Sequence, residues 1–157
     1  MHFDLLPVSI GLGLVVSLLF SELFGLAAGG MVVPGYFALF LNQPFVVLLS
    51  IGAALLTYLF VFLTAQFVII YGRRRTVMMI LVGYLMQGLL ESALSGQIYR
   101  LEASIGSEIS IIGYIIPGLV AIWMDRQGIV ETLTTLVTAS VVVRLVMMLI
   151  FGMELIK

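Results

Sequence analysis

The chain has 157 residues, of which 62% are hydrophobic and 10% charged, and its formal net charge is −1. A soluble domain carries roughly 25% charged residues, so this composition, with a mean hydropathy of +1.27, excludes a water-soluble fold and predicts an all-α integral membrane protein. The small net charge excludes general attraction to nucleic acid. Cysteine is absent and His2 is the only histidine. We therefore predict no catalytic, cofactor-binding or metal site in this chain.

Four apolar runs are long enough to cross a bilayer as helices, which takes about 20 residues. In chain order they cover residues 5–21, 45–70, 77–94 and 129–151. The first run is preceded by Asp4 and by no basic residue, unlike the positively charged start of a secretory signal. We therefore expect it to be retained.

Two further apolar segments each contain Pro-Gly and resemble one another. Residues 31–44 read MVVPGYFALFLNQP, and residues 114–128 read YIIPGLVAIWMDRQG. Proline removes a backbone donor and glycine admits unusual conformations, so each pair is predicted to break its helix. Broken segments at matching places in two halves of a membrane protein indicate a site, although a structural kink or a helix cap would give the same pattern. The candidate residues are Pro34, Gly35, Asn42, Gln43, Pro117, Gly118, Arg126 and Gln127.

A basic cluster, Arg73 to Arg75, separates two related halves of one membrane domain, residues 1–72 and 76–157. No Lys or Arg precedes it, and cytoplasmic loops are enriched in these residues, so the cluster is predicted to face the cytoplasm. Besides setting the topology, the three arginines could dock an acidic partner surface. Each half then has two transmembrane helices and one Pro-Gly segment.

The number of crossings depends on the Pro-Gly segments. As helices at 1.5 Å per residue, residues 31–41 are only about 16 Å long, whereas residues 109–124 reach about 24 Å. We favour re-entrant segments and four full crossings, with both termini in the cytoplasm. The alternative has six crossings and inverted halves, which places both termini outside.

Two charges lie inside apolar runs, Glu91 and Arg144. A charge at such depth costs about 2.5–3.5 kcal/mol on insertion scales and usually faces a partner or a wet cavity. Arg144 is therefore expected to bind Glu91 or a backbone carbonyl, or to hold carboxylates of an anionic product.

Three runs of this sequence resemble a known family. They are SLLFSELFGLAAGGMVVPGYFALFLNQP at residues 17–44, YGRR at 71–74, and IPGL at 116–119 continuing to RQGI at 126–129. Together with their order and spacing, they are similar to the PgsC/CapC family of bacterial poly-γ-glutamate synthesis, over most of the chain.

The resemblance implies a subunit of a complex in the bacterial cytoplasmic membrane that polymerises glutamate and passes the anionic polymer outward. The sequence has no phosphate-binding G-x-x-x-x-G-K-[ST] motif and Lys157 is its only lysine, so ATP and Mg²⁺ are expected in a partner. The family implies a PgsB/CapB-like ligase and a PgsA/CapA-like outer component as partners, besides lipid and the polymer. A homo-oligomer is also compatible with the sequence.

A different class of function fits the same pattern. Duplicated halves with broken helices are also how secondary transporters build their substrate sites. The alternative prediction is therefore a small transporter or channel that works alone.

Overall fold

The computed structural model describes residues 5–41, 43–69, 72–93 and 107–151. These ranges hold six helices and no strand, which confirms the all-α prediction. The helices are α1 Leu5–Phe24, α2 Val33–Phe40, α3 Pro44–Phe67, α4 Arg73–Ala93, α5 Ser107–Gln127 and α6 Ile129–Phe151. Four of them, α1, α3, α4 and α6, are long and apolar enough to cross a membrane, and they coincide with the four predicted apolar runs.

The outer faces of these long helices are apolar. Large aliphatic and aromatic side chains are exposed on each of them, for example Leu19, Phe60, Leu89 and Leu149. A helix that is hydrophobic all round is typical of a membrane span, because lipid tails cover the side that faces away from the protein. This chain is therefore a membrane protein.

The two Pro-Gly segments adopt different helices. In α2, which has only eight residues, Pro34 lies in the first turn, where its missing N–H has no intrahelical partner to lose. In α5, which has 21 residues, Pro117 lies inside the helix and leaves the carbonyl of Gly113 without its i+4 donor. The sequence predicted a short broken segment in both halves, but the second one is a continuous helix.

The chain between α1 and α2 is irregular because of its glycines. Gly25, Gly29 and Gly30 have φ of 64°, 74° and 118°, which other residues rarely adopt. Residues 25–32 therefore connect the two helices without forming a helix of their own.

The helices form two compact units. The first, which we call the split unit, comprises residues 1–47 and 126–157, and the second, the continuous unit, comprises residues 48–125. The split unit contains α1, α2 and α6, whereas the continuous unit contains α4, α5 and α3 from Leu48 onward. The third helix of each predicted half thus belongs to the unit of the other half.

Each unit has its own apolar core. In the split unit the connection 25–32 contributes to the core together with α1, α2 and α6, and the buried residues are Val16, Ala28, Ala38, Ala139, Val143 and Met147. In the continuous unit, α3, α4 and α5 supply Val61, Met79, Val82 and Ile122.

Two glycines of the split unit bring α1 and α2 into backbone contact. A Cβ placed on Gly13 would lie 2.6 Å from both N and Cα of Gly35, and a Cβ on Gly35 would lie 2.5 Å from the carbonyl oxygen of Ser9. These distances are too short for any side chain, so both positions require glycine.

In the continuous unit, α4 and α5 make the same kind of backbone contact. A Cβ on Gly83 would lie 2.5 Å from N of Gly118, and a Cβ on Gly118 would lie 2.9 Å from the carbonyl oxygen of Met79. Met79 is four residues before Gly83, just as Ser9 is four residues before Gly13. The two Pro-Gly glycines therefore have equivalent packing, although their helices differ in length.

We predict that Gly13→Ala and Gly83→Ala each destabilise the protein by about 1–3 kcal/mol, because the added methyl group overlaps backbone atoms that cannot rotate away. Thermal unfolding in detergent should show a melting temperature several degrees lower for each variant.

Gly11→Ala and Gly52→Ala are matched controls, because an added Cβ meets nothing within 4 Å at either position. Their stability should be unchanged or slightly higher, since alanine favours a helix. Equal effects in all four variants would contradict the requirement for glycine at these helix–helix contacts.

Candidate functional site

The basic cluster at the start of α4 consists of side chains in different environments. Arg73 and Arg74 are exposed. Arg75 forms an ion pair with Asp125 near the end of α5, with Nη2 2.5 Å from Oδ1, and the two side chains are 25% and 22% exposed. The three predicted cations thus divide into one that joins two helices and two that are exposed.

The environment of Arg75 limits what else its guanidinium can bind. Its Nε is buried and has no hydrogen-bond partner among the described residues. A guanidinium held in this way cannot turn toward a partner without losing its carboxylate. Arg73 and Arg74 are consequently more accessible to another molecule than Arg75 is.

At the other end of α4, a carboxylate is surrounded by polar side chains of the same unit. Glu91 accepts a hydrogen bond from Nε2 of Gln87 at 2.8 Å and another from the Tyr114 hydroxyl of α5. Tyr84 packs against the Tyr114 ring with centroids 5.3 Å apart. Donors from two helices therefore compensate the charge of Glu91 in this apolar setting.

The predicted site residue Gln127 binds the backbone of the connection 25–32. Its Nε2 donates to the carbonyl of Ala27 at 2.5 Å, and its Oε1 accepts from the Ala27 N–H at 3.0 Å. The same Nε2 also lies 3.2 Å from Oγ1 of Thr132. The amide thus replaces both backbone partners that Ala27 would have in regular secondary structure.

Arg144 of α6 lies in the split unit. Its Nη1 donates to the carbonyl of Ala38 in α2 at 3.4 Å, and the side chain is partly buried. Glu91 belongs to the continuous unit. The carbonyl interaction is one of the two structural interpretations that the sequence suggested, and whether Arg144 also holds product carboxylates stays a prediction.

The remaining predicted site residues lie in both units. Pro34 and Gly35 are buried in the split unit, and Pro117 and Gly118 are buried in the continuous unit. The side-chain Oε1 of Gln43 is buried without a hydrogen-bond partner among the described residues. Arg126 is exposed at the end of α5, and Asn42 lies outside the described residues.

Sequence reasoning missed several residues that make these contacts. Asp125, Tyr114, Ala27, Gly13 and Gly83 were not identified as partners of the predicted residues. Gly13 and Gly83 carried a signal, because each lies near the middle of a helix that precedes a Pro-Gly segment. Ala27 and Asp125 carried none, because their importance comes from contacts that are distant in sequence.

The helices define a small integral membrane protein with two exposed cations, Arg73 and Arg74, at the start of α4. Comparison with known proteins identifies its family. The sequence model of the family described as capsule biosynthesis CapC matches residues 12–133, so this chain belongs to the CapC family.

Two curated relatives agree with this assignment. The "PGA biosynthesis protein CapC" of Bacillus subtilis (strain 168) is 35% identical over 128 residues, which cover 81% of this chain and 83% of the relative. The "Capsule biosynthesis protein CapC" of Bacillus anthracis is 34% identical over 136 residues, covering 86% and 88%. No solved structure matches significantly. Membership of the family supports a role in poly-γ-glutamate capsule synthesis.

The ion pair generates a prediction about stability. Arg75→Gln and Asp125→Asn should each lower the melting temperature in detergent, and the double variant should lose less than the sum of the two, with a coupling of about 1 kcal/mol for a partly exposed pair. Arg74→Gln is the control and should leave the melting temperature unchanged. Strictly additive effects would contradict the pair.

A second prediction about stability concerns the side-chain amide of Gln127. Gln127→Leu has similar size but leaves the N–H and carbonyl of Ala27 without partners, which should cost about 1–3 kcal/mol. The melting temperature in detergent should fall accordingly, whereas Gln66→Leu, at an exposed position of α3, should change it little. A stable Gln127→Leu protein would show that water replaces the amide.

Proposed function

We propose that this chain is the membrane subunit of a poly-γ-glutamate synthase complex in the bacterial cytoplasmic membrane. In this proposal a partner ligase forms the amide bonds at the expense of ATP, and the membrane subunit anchors the ligase and helps the anionic polymer to cross the bilayer. Membership of the CapC family supports the pathway, and the four apolar helices support the membrane location.

The sequence supports the division of labour. An ATP-dependent ligase must hold nucleotide phosphates and Mg²⁺, usually with a glycine-rich loop, a lysine and carboxylates. The chain has no G-x-x-x-x-G-K-[ST] motif and only one lysine, Lys157. ATP and Mg²⁺ are therefore assigned to a PgsB/CapB-like partner, and a PgsA/CapA-like component is proposed for the outer side.

The observation that carries the docking part of the proposal is the difference between the three arginines. Arg75 is engaged by Asp125, whereas Arg73 and Arg74 are exposed at the same helix start. Exposed cations attract an acidic protein surface or an anionic product and lose this attraction at high salt. Arg73 and Arg74 are thus the proposed contact of the ligase.

The polymer route is proposed to run beside the Pro-Gly segments. The backbone contacts at the paired glycines leave no room for a polymer between α1 and α2 at Gly13 or between α4 and α5 at Gly83. The route would therefore follow the other faces of these segments. Arg144 and Arg126 are the cations proposed to pair transiently with the free α-carboxylates of the γ-linked polymer.

The docking proposal predicts that Arg73→Gln with Arg74→Gln weakens co-purification of the chain with its candidate ligase and lowers glutamate polymerisation in membranes. We expect a loss of at least several-fold, larger at low salt, because two exposed cations are removed.

The charge-conserving variant Arg73→Lys with Arg74→Lys is the matched control and should retain most of the binding. Expression and melting temperature should be normal in both double variants, because neither touches the Arg75–Asp125 pair. Unchanged co-purification and polymerisation in the glutamine variant would leave these arginines only a topological role.

A further inference from the structure

We infer that both Pro-Gly segments run through the full thickness of the membrane, so that the chain crosses six times. Residues 22–28 and 125–131 then lie on the same side as Arg73–Arg75, and the two ends of the described chain, residues 5 and 151, lie on the opposite side. This inference does not depend on the proposed function.

The first observation is that α4 and α5 are antiparallel neighbours along their lengths. They contact one another at three levels, through Arg75 and Asp125, through Gly83 and Gly118, and through Glu91 and Tyr114. Arg75 and Glu91 are about 24 Å apart along α4 at 1.5 Å per residue. The corresponding residues of α5, Tyr114 and Asp125, are about 16 Å apart, and α5 begins a further seven residues before Tyr114. Because α4 is a membrane span, α5 lies beside most of that span.

The length of α5 agrees with a full crossing. Its 21 residues extend about 31 Å, close to the roughly 30 Å of the hydrocarbon core. A re-entrant segment would have to return to the side from which it started, but this helix continues in one direction from residue 107 to residue 127.

The second observation is that residues 25–41 run antiparallel to α1. The carbonyl of Gly30 accepts from Oγ of Ser17 at 3.4 Å, whereas Gly35, five residues later, packs on Gly13 and accepts from Oγ of Ser9 at 2.7 Å. The segment thus approaches the start of α1 as its residue numbers rise.

The same segment is long enough to cross despite its short helix. Gly35 contacts α1 at Ser9 and Gly13, about 16–22 Å along α1 from Phe24 at 1.5 Å per residue, and α2 continues for five residues, about 8 Å, beyond Gly35. Together these lengths approach the roughly 30 Å of the hydrocarbon core.

Irregular backbone inside a membrane must be buried and satisfied by protein. Ala28 is fully buried in the core of the split unit, Gln127 binds both backbone groups of Ala27, and Ser17 binds the carbonyl of Gly30. Protein groups thus satisfy the N–H and carbonyl of Ala27 and the carbonyl of Gly30, as a discontinuous crossing requires of its irregular backbone.

The third observation fixes the sides. Asp125 pairs with Arg75 at the start of α4, so the end of α5 lies on the arginine side of the membrane. Along the chain, α3 ends next to Arg73 on this side, so α3 begins on the opposite side, where the segment 25–41 ends. A full crossing by that segment means that the end of α1 lies on the arginine side and that α1 begins on the opposite side.

One further basic residue, Arg126, bears on the choice between the two topologies. Six crossings put Arg126 on the same side as Arg73, Arg74 and Arg75, whereas four crossings with re-entrant segments put it on the other side. Cytoplasmic loops are enriched in such residues, so the shared side is the cytoplasm.

The absence of cysteine makes the sides measurable by single-cysteine labelling. Glu22→Cys and Glu131→Cys replace exposed carboxylates near the end of α1 and the start of α6. With six crossings, a membrane-impermeant maleimide should label neither in intact spheroplasts and both after lysis.

The controls are two positions whose side is the same in either topology. Arg74→Cys should behave as an inside position and Ser92→Cys, near the end of α4, as an outside position. Labelling of Glu22→Cys or Glu131→Cys in intact spheroplasts, at the level of Ser92→Cys, would overturn the inference.

A second measurement avoids cysteine variants altogether. Six crossings place the end of α6 outside, so alkaline phosphatase fused after α6 should be active, and green fluorescent protein fused at the same place should be dark. The reverse pair of results would equally overturn the inference.

Discussion

Direct contact between helix backbones at paired glycines is the constraint on which the rest of this structure depends. In lipid there is little hydrophobic gain from bringing helices together, so close van der Waals packing has to supply the attraction. Gly13 with Gly35 in one unit and Gly83 with Gly118 in the other allow that approach. The polar contacts then become possible, because Ser9 reaches the Gly35 carbonyl only when the helices touch.

The two backbone contacts at paired glycines also explain why the Pro-Gly pairs recur although their helices differ. In both units glycine removes the side chain that would separate the backbones, whereas the proline tolerates two settings, the first turn of α2 and the interior of α5. What the chain repeats is thus a packing geometry. The length of helix around it is set by the neighbouring residues, in particular the positive-φ glycines before α2.

Much of this architecture could be predicted from the sequence. Apolar length identified the four long helices, and the Pro-Gly echo identified the two related segments. The eight-residue length of α2 was consistent with its expected short run, but the continuity of α5 through Pro117 was not predicted, because helix breaking by proline depends on whether neighbours satisfy the freed carbonyl.

The candidate site was less predictable, because its contacts also depend on neighbours in the tertiary structure. Gln127 was singled out, but its partner Ala27 is 100 residues away in sequence. Arg75 was grouped with Arg73 and Arg74, and only the position of Asp125 separates them. Composition and spacing indicate which residues are candidates for a functional role, whereas identifying their partners on other helices requires the tertiary structure.

The distribution of the third helices has a consequence for biosynthesis. Residues 48–125 form the continuous unit, so all of its helices have been synthesised before α6 exists. The split unit needs α6, whose Ala139, Val143 and Met147 pack against Ala28 and Ala38. The helices α1 and α2 are therefore synthesised early, but the apolar core of the split unit can form only after α6 has entered the membrane.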